Sequence, residues 1–533
     1  MDGLESNKLI KGALLLTFAG LISKVLSAGY RIPLQNLTGD IGFYIYQQVY
    51  PILGMAMVLS LYGFPSAISK MVVDLSRSGN KLSLSFFYGP IFLILLTINV
   101  FLFLFLFFNA DLFALWIGDN QLKYAYQYAA IIFLLVPFTS LLRGLFQGRM
   151  MMKPTAYSQV GEQFIRVGFI IITAYLIYIN RLELYEIGRA ASFASILGSF
   201  TAMLILVFCL FTLKSHPITF RRKQVIPWKY YIKTIFILGL AATLNHMVLL
   251  LFQLADAFTF VPGLSEYGMS IEKAMEEKGI FDRGQPLIQL GIVLGSSFAL
   301  ALIPTISKEK LQRDKEFYTY IRSAFLFSFY LAVGATVGLI AIFPETNILL
   351  YQDDKGTHVL RVLVLSIFFS SVAITATSIL QGLGFVKRTA VFIGIAFFMK
   401  WILNRIFIAW IGAAGGAIAT VISLVILFVL VLFELRRKVP GLSLLKQINW
   451  FALIKASLLM LLFIGFMEYL IPSEVVYSRI QLLGYVLFIS IVGGGIYIIA
   501  LLRGRAFTNN ELTLLPLSSL FIRIQGRKER GKN

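Results

Sequence analysis

Lys24, Arg31, Glu162, Arg166, Asp256, Lys400 and Arg405 are charged residues set in or at the ends of long apolar segments, and their types limit the chemistry open to the chain. A lysine or arginine at the centre of a lipid-spanning helix costs about 2.5–3.5 kcal/mol on insertion scales, so each needs a partner, a wet cavity or a function. Leaving Glu162 aside, the deep charges are mainly basic. A cavity lined by lysine and arginine suits an anionic cargo such as a phosphate or pyrophosphate. An exporter of cationic drugs would need deep carboxylates instead.

Lys24 and Arg31 are seven residues apart, which puts them on one helical face. Lys24 falls near mid-depth of the first apolar segment, too deep for its ammonium to reach water easily, so a cavity-lining role is expected. Arg31 lies near the outer end and either lines the same cavity or snorkels to the headgroups. Glu162 and Arg166 are spaced i, i+4 and can pair on one helix. That leaves Arg166 as a cavity cation or a structural partner, and Glu162 as a gate, a coupling group or a structural one. Lys400 has Asn404 at i+4 and no acid nearby in sequence, so it is expected to serve the cavity. Arg405 can snorkel outward or act at a gate. Asp256 and Arg283 flank a long outer stretch, Ala257–Gln285, as gate or interfacial residues. His246, beside Asn245, reads as a hydrogen-bonded packing residue more than as a proton relay.

The elements that carry these residues must lie in lipid. Of 533 residues, 58% are hydrophobic and 14% charged. A soluble domain carries about 25% charged residues and has no means of burying so much apolar surface. Runs such as Ile91–Phe108 and Val421–Phe433 are uniform rather than alternating, so the spans are helices, not barrel strands. The pattern predicts an all-α integral membrane protein with about fourteen transmembrane helices, from 9–34 to 482–502. Lysine and arginine crowd the loops after even-numbered helices, for example Lys70, Arg77 and Lys81, or Arg143, Arg149 and Lys153. The loops between them hold few. This alternation predicts a plasma-membrane protein with both termini cytoplasmic. It also accounts for the net charge of +21 without nucleic acid. The single cysteine, Cys209, and three scattered histidines offer no disulfide within the chain and no zinc site. No G-x-x-x-x-G-K-[ST] loop is present. No metal, cofactor or enzymatic activity is expected; a glycosyltransferase would need a larger polar loop than Ala257–Gln285, which also holds a candidate surface helix at Ser270–Lys278.

The chain repeats itself. Gln147-Gly148 and Lys153-Pro154-Thr155-Ala156 match Gln381-Gly382 and Lys387-Arg388-Thr389-Ala390 at a constant offset of 234, which sets Arg166 opposite Lys400. Pro65-Ser66-Ala67-Ile68-Ser69-Lys70 matches Pro304-Thr305-Ile306-Ser307-Lys308. Six helices separate the copies, so they run in the same direction, as parallel transporter repeats do. The expected organisation is two six-helix lobes, 1–213 and 234–436, joined by a cytoplasmic loop, 214–233. Two extra helices, 437–503, and a basic cytoplasmic tail, 504–533, follow.

The segment Arg143-Gly144-Leu145-Phe146-Gln147-Gly148 with Pro154–Val160, Glu162-Gln163 and Arg166 resembles the helix 4–5 signature of the polysaccharide-transport branch of the multidrug/oligosaccharidyl-lipid/polysaccharide (MOP) exporter superfamily. Ile22–Leu26 with Arg31-Ile32-Pro33, Gly63–Lys70 and Asp282–Leu287 fit the same family. The likeness is to the stage V sporulation protein B type, relatives of the MurJ-like lipid II flippases. The resemblance implies alternating access and a polyprenyl pyrophosphate sugar or peptidoglycan precursor as cargo, with membrane lipids and cell-wall synthesis proteins as partners. It also implies that helix 1 cations line the cavity, and that the two last helices form a groove for the lipid tail. MurJ-like proteins carry arginine at both helix 1 positions, so Lys24 is a departure that keeps the charge and loses the bidentate fork. The competing readings are a cation-coupled multidrug exporter of the same superfamily and a non-transporting scaffold for cell-wall synthesis.

Overall fold

The computed structural model describes residues 3–77, 83–212, 226–302, 315–439, 444–471, 478–513 and 518–526. The Pro304–Lys308 half of the second repeat match, Lys81, most of the 214–233 connection and the last basic residues of the tail lie outside them. The described residues form helices and no strands. Among the described residues, twelve helical segments are long and apolar enough to cross a membrane, against an expected fourteen, and the first of these, Phe18–Ser76, runs for 59 residues through more than one helix. Its continuity is broken at Gly39, whose φ of 69° only glycine adopts without strain.

Burial runs opposite to that of a soluble protein. The most apolar span, Ser85–Phe108, has a mean hydropathy of 3.0 and is only 17% buried, whereas Leu244–Glu266, at 1.8, is 72% buried. Phe101, Phe105 and Phe108 are exposed where lipid would be, while the less apolar Leu244–Glu266 helix lies largely in the interior.

The chain divides into two compact units. One comprises Met1–Leu287 with Phe385–Ser423, the other Ile288–Gly384 with Leu424–Asn533. In the first, the Met152–Tyr178 helix packs along Glu186–Thr212, the Leu244–Glu266 helix along Val386–Ile411, and the short Ile271–Asp282 helix against Arg31–Val58. In the second, Trp450–Leu470 pairs with Arg479–Arg503, and both pack on Lys315–Ala341. Tyr497 locks that group by donating its hydroxyl to the Tyr330 carbonyl at 2.7 Å. The repeat reappears at one helix junction: the end at Gly148 and the start at Met152 recur at Gly382 and Val386, at the same offset of 234.

Two expectations need correction. Ala257–Gln285 is not a long outer loop: the Leu244–Glu266 helix runs through its first third, and a second helix occupies Ile271–Asp282. That second helix is not a surface helix either. Glu272 and Lys273 are exposed, but Lys278, Gly279, Ile280, Phe281 and Asp282 are buried. Gly279 permits this, because a Cβ there would fall 2.1 Å from the Asp40 carbonyl oxygen.

That contact sets a test. Gly279→Ala forces backbone apart and is expected to lower stability by about 1–3 kcal/mol or more, read as a fall in the melting temperature of the detergent-purified protein. Gly168→Ala, where nothing lies within 4 Å of the added carbon, should be neutral or slightly stabilising. Equal effects at both positions would contradict the packing of Ile271–Asp282.

Candidate functional site

The first unit gathers its buried charges into three groups. The first centres on Glu162, which is 1% exposed. Arg166 Nη2 donates to its Oε1 at 2.7 Å, and Arg143 Nη2 donates to its Oε2 at 2.8 Å. Arg143 also donates to the Ser60 hydroxyl at 2.8 Å and the Ser158 hydroxyl at 3.1 Å, and Arg166 to Gln163 Oε1 at 3.1 Å. The i, i+4 pair is thus half of an Arg–Glu–Arg bridge. Sequence reasoning placed Arg143 among the basic loop residues; it is wholly buried inside Val136–Gly148. Its position inside an apolar helix was the signal.

The second group centres on Lys400, which is fully buried and does not lack an acid. Its ammonium lies 2.6 Å from Asp256 Oδ1. It also donates to Asn404 Oδ1 at 2.8 Å, to Thr420 Oγ1 at 2.6 Å and to the Gly416 carbonyl at 3.1 Å. Four oxygens from three helices therefore hold the cation. Asn404 donates its Nδ2 to Asp256 at 2.8 Å and to Thr259 at 2.8 Å, closing the network. Asp256 is accordingly an interior residue, not an interfacial one.

The third group lies where Ile271–Asp282 meets the Gly39 break. Arg283 clamps Asp40 with both prongs, Nε to Oδ1 at 2.8 Å and Nη2 to Oδ2 at 2.7 Å, and Gln35 donates to Oδ1 at 3.0 Å. Lys278 pairs with Asp282 four residues on, and its ammonium lies 5.4 Å from the Phe260 ring. Burial pushes the Asp282 carboxyl up to about 6, against the pull of Lys278. Asp40, Lys278 and Asp282 were missed from the sequence. The i, i+4 spacing of the last two was visible, but the Asp40–Arg283 contact left no local trace.

Two cations stand apart. Arg31 is fully buried, and among the described residues none of its three guanidinium nitrogens makes a hydrogen bond of good geometry, although the Tyr30 hydroxyl lies close to it. It sits over the face of Tyr50, 4.0 Å from the ring centroid, near the hydrogen-bonded hydroxyls of Tyr30 and Tyr46. It does not snorkel. Cation–π attraction of this kind is worth roughly 2 kcal/mol when desolvated, short of the cost of a stranded charge. Lys24 is half-buried, makes no ion pair among the described residues, and lies within electrostatic reach of His246. His246 is exposed and stacks on Tyr62 rather than being hydrogen-bonded into the packing. Arg405 is exposed on the Val386–Ile411 helix.

Residues 9–310 match the family model described as polysaccharide biosynthesis protein. The uncharacterized membrane protein YabM of Bacillus subtilis (strain 168) is 38% identical over 540 residues, covering 99% of each chain. Lipid II flippase MurJ of the same organism is 26% identical, over 78% of this chain and 80% of its own. Its stage V sporulation protein B is 24% identical, over 66% and 68%. Among solved structures, lipid II flippase MurJ in an inward closed conformation shares the fold with a TM-score of 0.65 at 15% identity, over 91% of this chain and 98% of that one. An inward-facing multidrug resistance MATE family transporter reaches 0.61 at 15% identity, over 81% and 99%. The chain therefore belongs to the polysaccharide biosynthesis protein family, as a multi-pass membrane protein similar in sequence to MurJ and sharing the fold of MurJ and MATE transporters.

Proposed function

We propose that this protein moves a polyprenyl-pyrophosphate-linked oligosaccharide or peptidoglycan precursor from the inner to the outer leaflet by alternating access, with both termini cytoplasmic. The observation that carries the reading is the pair of uncompensated cations on the first helices, Lys24 and Arg31. A charge kept in the interior without a partner destabilises the resting protein, and an anionic headgroup that visits the site supplies the missing partner. The sugars would stay in water and the polyprenyl tail in lipid, which spares its CH₂ groups from hydration. The helix junction recurring at one offset supports a transporter built from parallel repeats, 1–213 and 234–436, with 437–503 outside them.

The multidrug reading has less support. Asp40, Glu162, Asp256 and Asp282 each already hold a lysine or arginine of the chain. A cationic drug would have to displace a tethered partner. Arg166 and Lys400, first considered as cargo ligands, fit better as the fixed counter-ions of Glu162 and Asp256, while Arg283 keeps Asp40 in place at the Gly39 break. Among the described residues that leaves Lys24 and Arg31 to meet the cargo.

The two kinds of cation predict different outcomes. In liposomes carrying a fluorescent undecaprenyl-pyrophosphate sugar, Lys24→Ala and Arg31→Ala should each cut the flipping rate at least tenfold with little change in melting temperature, and Lys24→Arg should keep most of it. Unchanged rates in both alanine variants would favour a scaffold, and depletion of the protein would then cause no build-up of any lipid-linked sugar on the inner leaflet.

Lys400→Met leaves Asp256 buried without its cation and should cost about 3–5 kcal/mol of stability. The double variant Lys400→Met, Asp256→Asn should recover most of that loss. A Lys400→Met protein as stable as the parent would show that the four-oxygen cage does not hold the first unit together.

A further inference from the structure

Tyr62 sits in a short π-helical turn, Leu59–Gly63, that faces a second one, Ile235–Ala241. Gly63 lets the two meet: a Cβ on it would lie 2.5 Å from the Gly239 carbonyl and 2.5 Å from the Thr243 hydroxyl. Such turns insert a residue into the helical ladder and re-aim the side chains that follow. Here the result is that the Tyr62 ring lies flat on His246, with centroids 4.6 Å apart and planes 15° from parallel. The Tyr62 hydroxyl reaches the first helix, where a Cβ on Gly20 would lie 3.5 Å from it and 3.7 Å from the Gln159 amide nitrogen. Gly20 and Lys24 are four apart and share a face of that helix, and Lys24 lies within electrostatic reach of His246.

Lys24 is half-buried, His246 is exposed, and the His246 imidazole makes no hydrogen bond among the described residues. Arg31 lies seven residues further along, about 10 Å at helical rise, so at the Lys24 end one lysine alone would give a single point of charge, with no way to tell one phosphate from two. An imidazole N–H adds a second donor from a different helix, and the stacked Tyr62 ring restricts its rotation.

Resting on the reading of this protein as a carrier of a lipid-linked anionic sugar, we propose that His246 is a second headgroup ligand, positioned by Tyr62, that makes the Lys24 site select a diphosphate over a monophosphate. Lys24 takes one phosphoryl group and His246 donates to an oxygen of the other. Tyr62 is a positioning residue that touches the cargo only through His246.

The test is a binding titration of the full-length protein in nanodiscs with undecaprenyl diphosphate and undecaprenyl monophosphate, neither carrying sugar. The parent should prefer the diphosphate by roughly tenfold or more, the worth of one hydrogen bond to a charged group. His246→Ala should erase that preference while leaving monophosphate affinity within about twofold. His246→Gln, which keeps an N–H donor, should restore part of it. Tyr62→Ala should behave like His246→Ala, and Tyr62→Phe like the parent. A His246→Ala protein that still prefers the diphosphate as the parent does overturns the proposal. So does a loss at Tyr62→Ala that affects both lipids equally and tracks a fall in melting temperature, which marks a packing role. If the parent binds neither lipid, the reading of the cargo fails first and the proposal with it. If Lys24→Ala weakens both lipids while His246→Ala changes neither, only the proposal fails.

Discussion

The cost of holding an unpaired charge away from water governs the interior of this protein. Inside lipid-spanning helices that cost cannot be met by solvent, so it must be met by geometry. The first unit meets it repeatedly. Glu162 lies between two arginines, Asp256 faces an ammonium held by three further oxygens, Asp40 takes both prongs of Arg283, and Lys278 lies against Asp282. Two of these contacts, Asp40–Arg283 and Asp256–Lys400, tie together segments far apart in the chain. A buried pair of this kind contributes little net stability compared with apolar packing, but removing one partner is severe, so the pairs fix which helix lies where. Arg31 and Lys24 depart from that rule, which is why they attract a functional reading.

Membership of an integral, all-α class was legible from composition, because 58% hydrophobic residues in long uniform runs leave no alternative. The repeat was legible in part, because identical residues at one offset need no structure to be seen, and one helix junction, at Gly148–Met152 and Gly382–Val386, follows it. The i, i+4 pairing of Glu162 with Arg166 was readable because helical spacing is local. What was not readable is non-local. Asp256 and Lys400 sit on helices that meet only after folding, so Lys400 looked like an unaccounted charge. The stretch after Asp256 looked like a loop because Glu266, Glu272, Lys273, Glu276 and Glu277 dilute its apolar residues. Those charges line one end of two helices whose other parts are buried. Positive-inside counting took Arg143 for a loop residue because it considers distance from a helix end and not the depth of the side chain.

The repeat also shows how two copies reach the same end by different means. Arg166 and Lys400 stand at equivalent positions, and both are neutralised. Arg166 finds its carboxylate one turn away on its own helix. Lys400 has only an amide at the matching distance and takes its carboxylate from the Leu244–Glu266 helix. The first arrangement is complete within one helix, whereas the second exists only when two helices are docked. The Lys400 cage therefore ties Val386–Ile411 to Leu244–Glu266 in a way that the Glu162 pair alone does not tie Met152–Tyr178 to its neighbours; Arg143 supplies that cross-helix link instead.

The difference between Lys24 and Arg31 follows from the same electrostatics. A guanidinium is weakly hydrated, planar and able to lie on a ring, so it tolerates full burial over Tyr50. A lysine ammonium is a compact, strongly hydrated charge, and it would not tolerate that place. At position 24 the side chain is half-buried, where water can still reach it. The lysine therefore suits a site that is wet between visits of a ligand, and the arginine one that is dry. An anionic headgroup approaching this pair would meet a hydrated, exchangeable charge first and a desolvated one afterwards. The order matters energetically, because the half-buried Lys24 can be reached without moving the packed interior, while the unmet hydrogen-bonding capacity of Arg31 rewards deeper penetration.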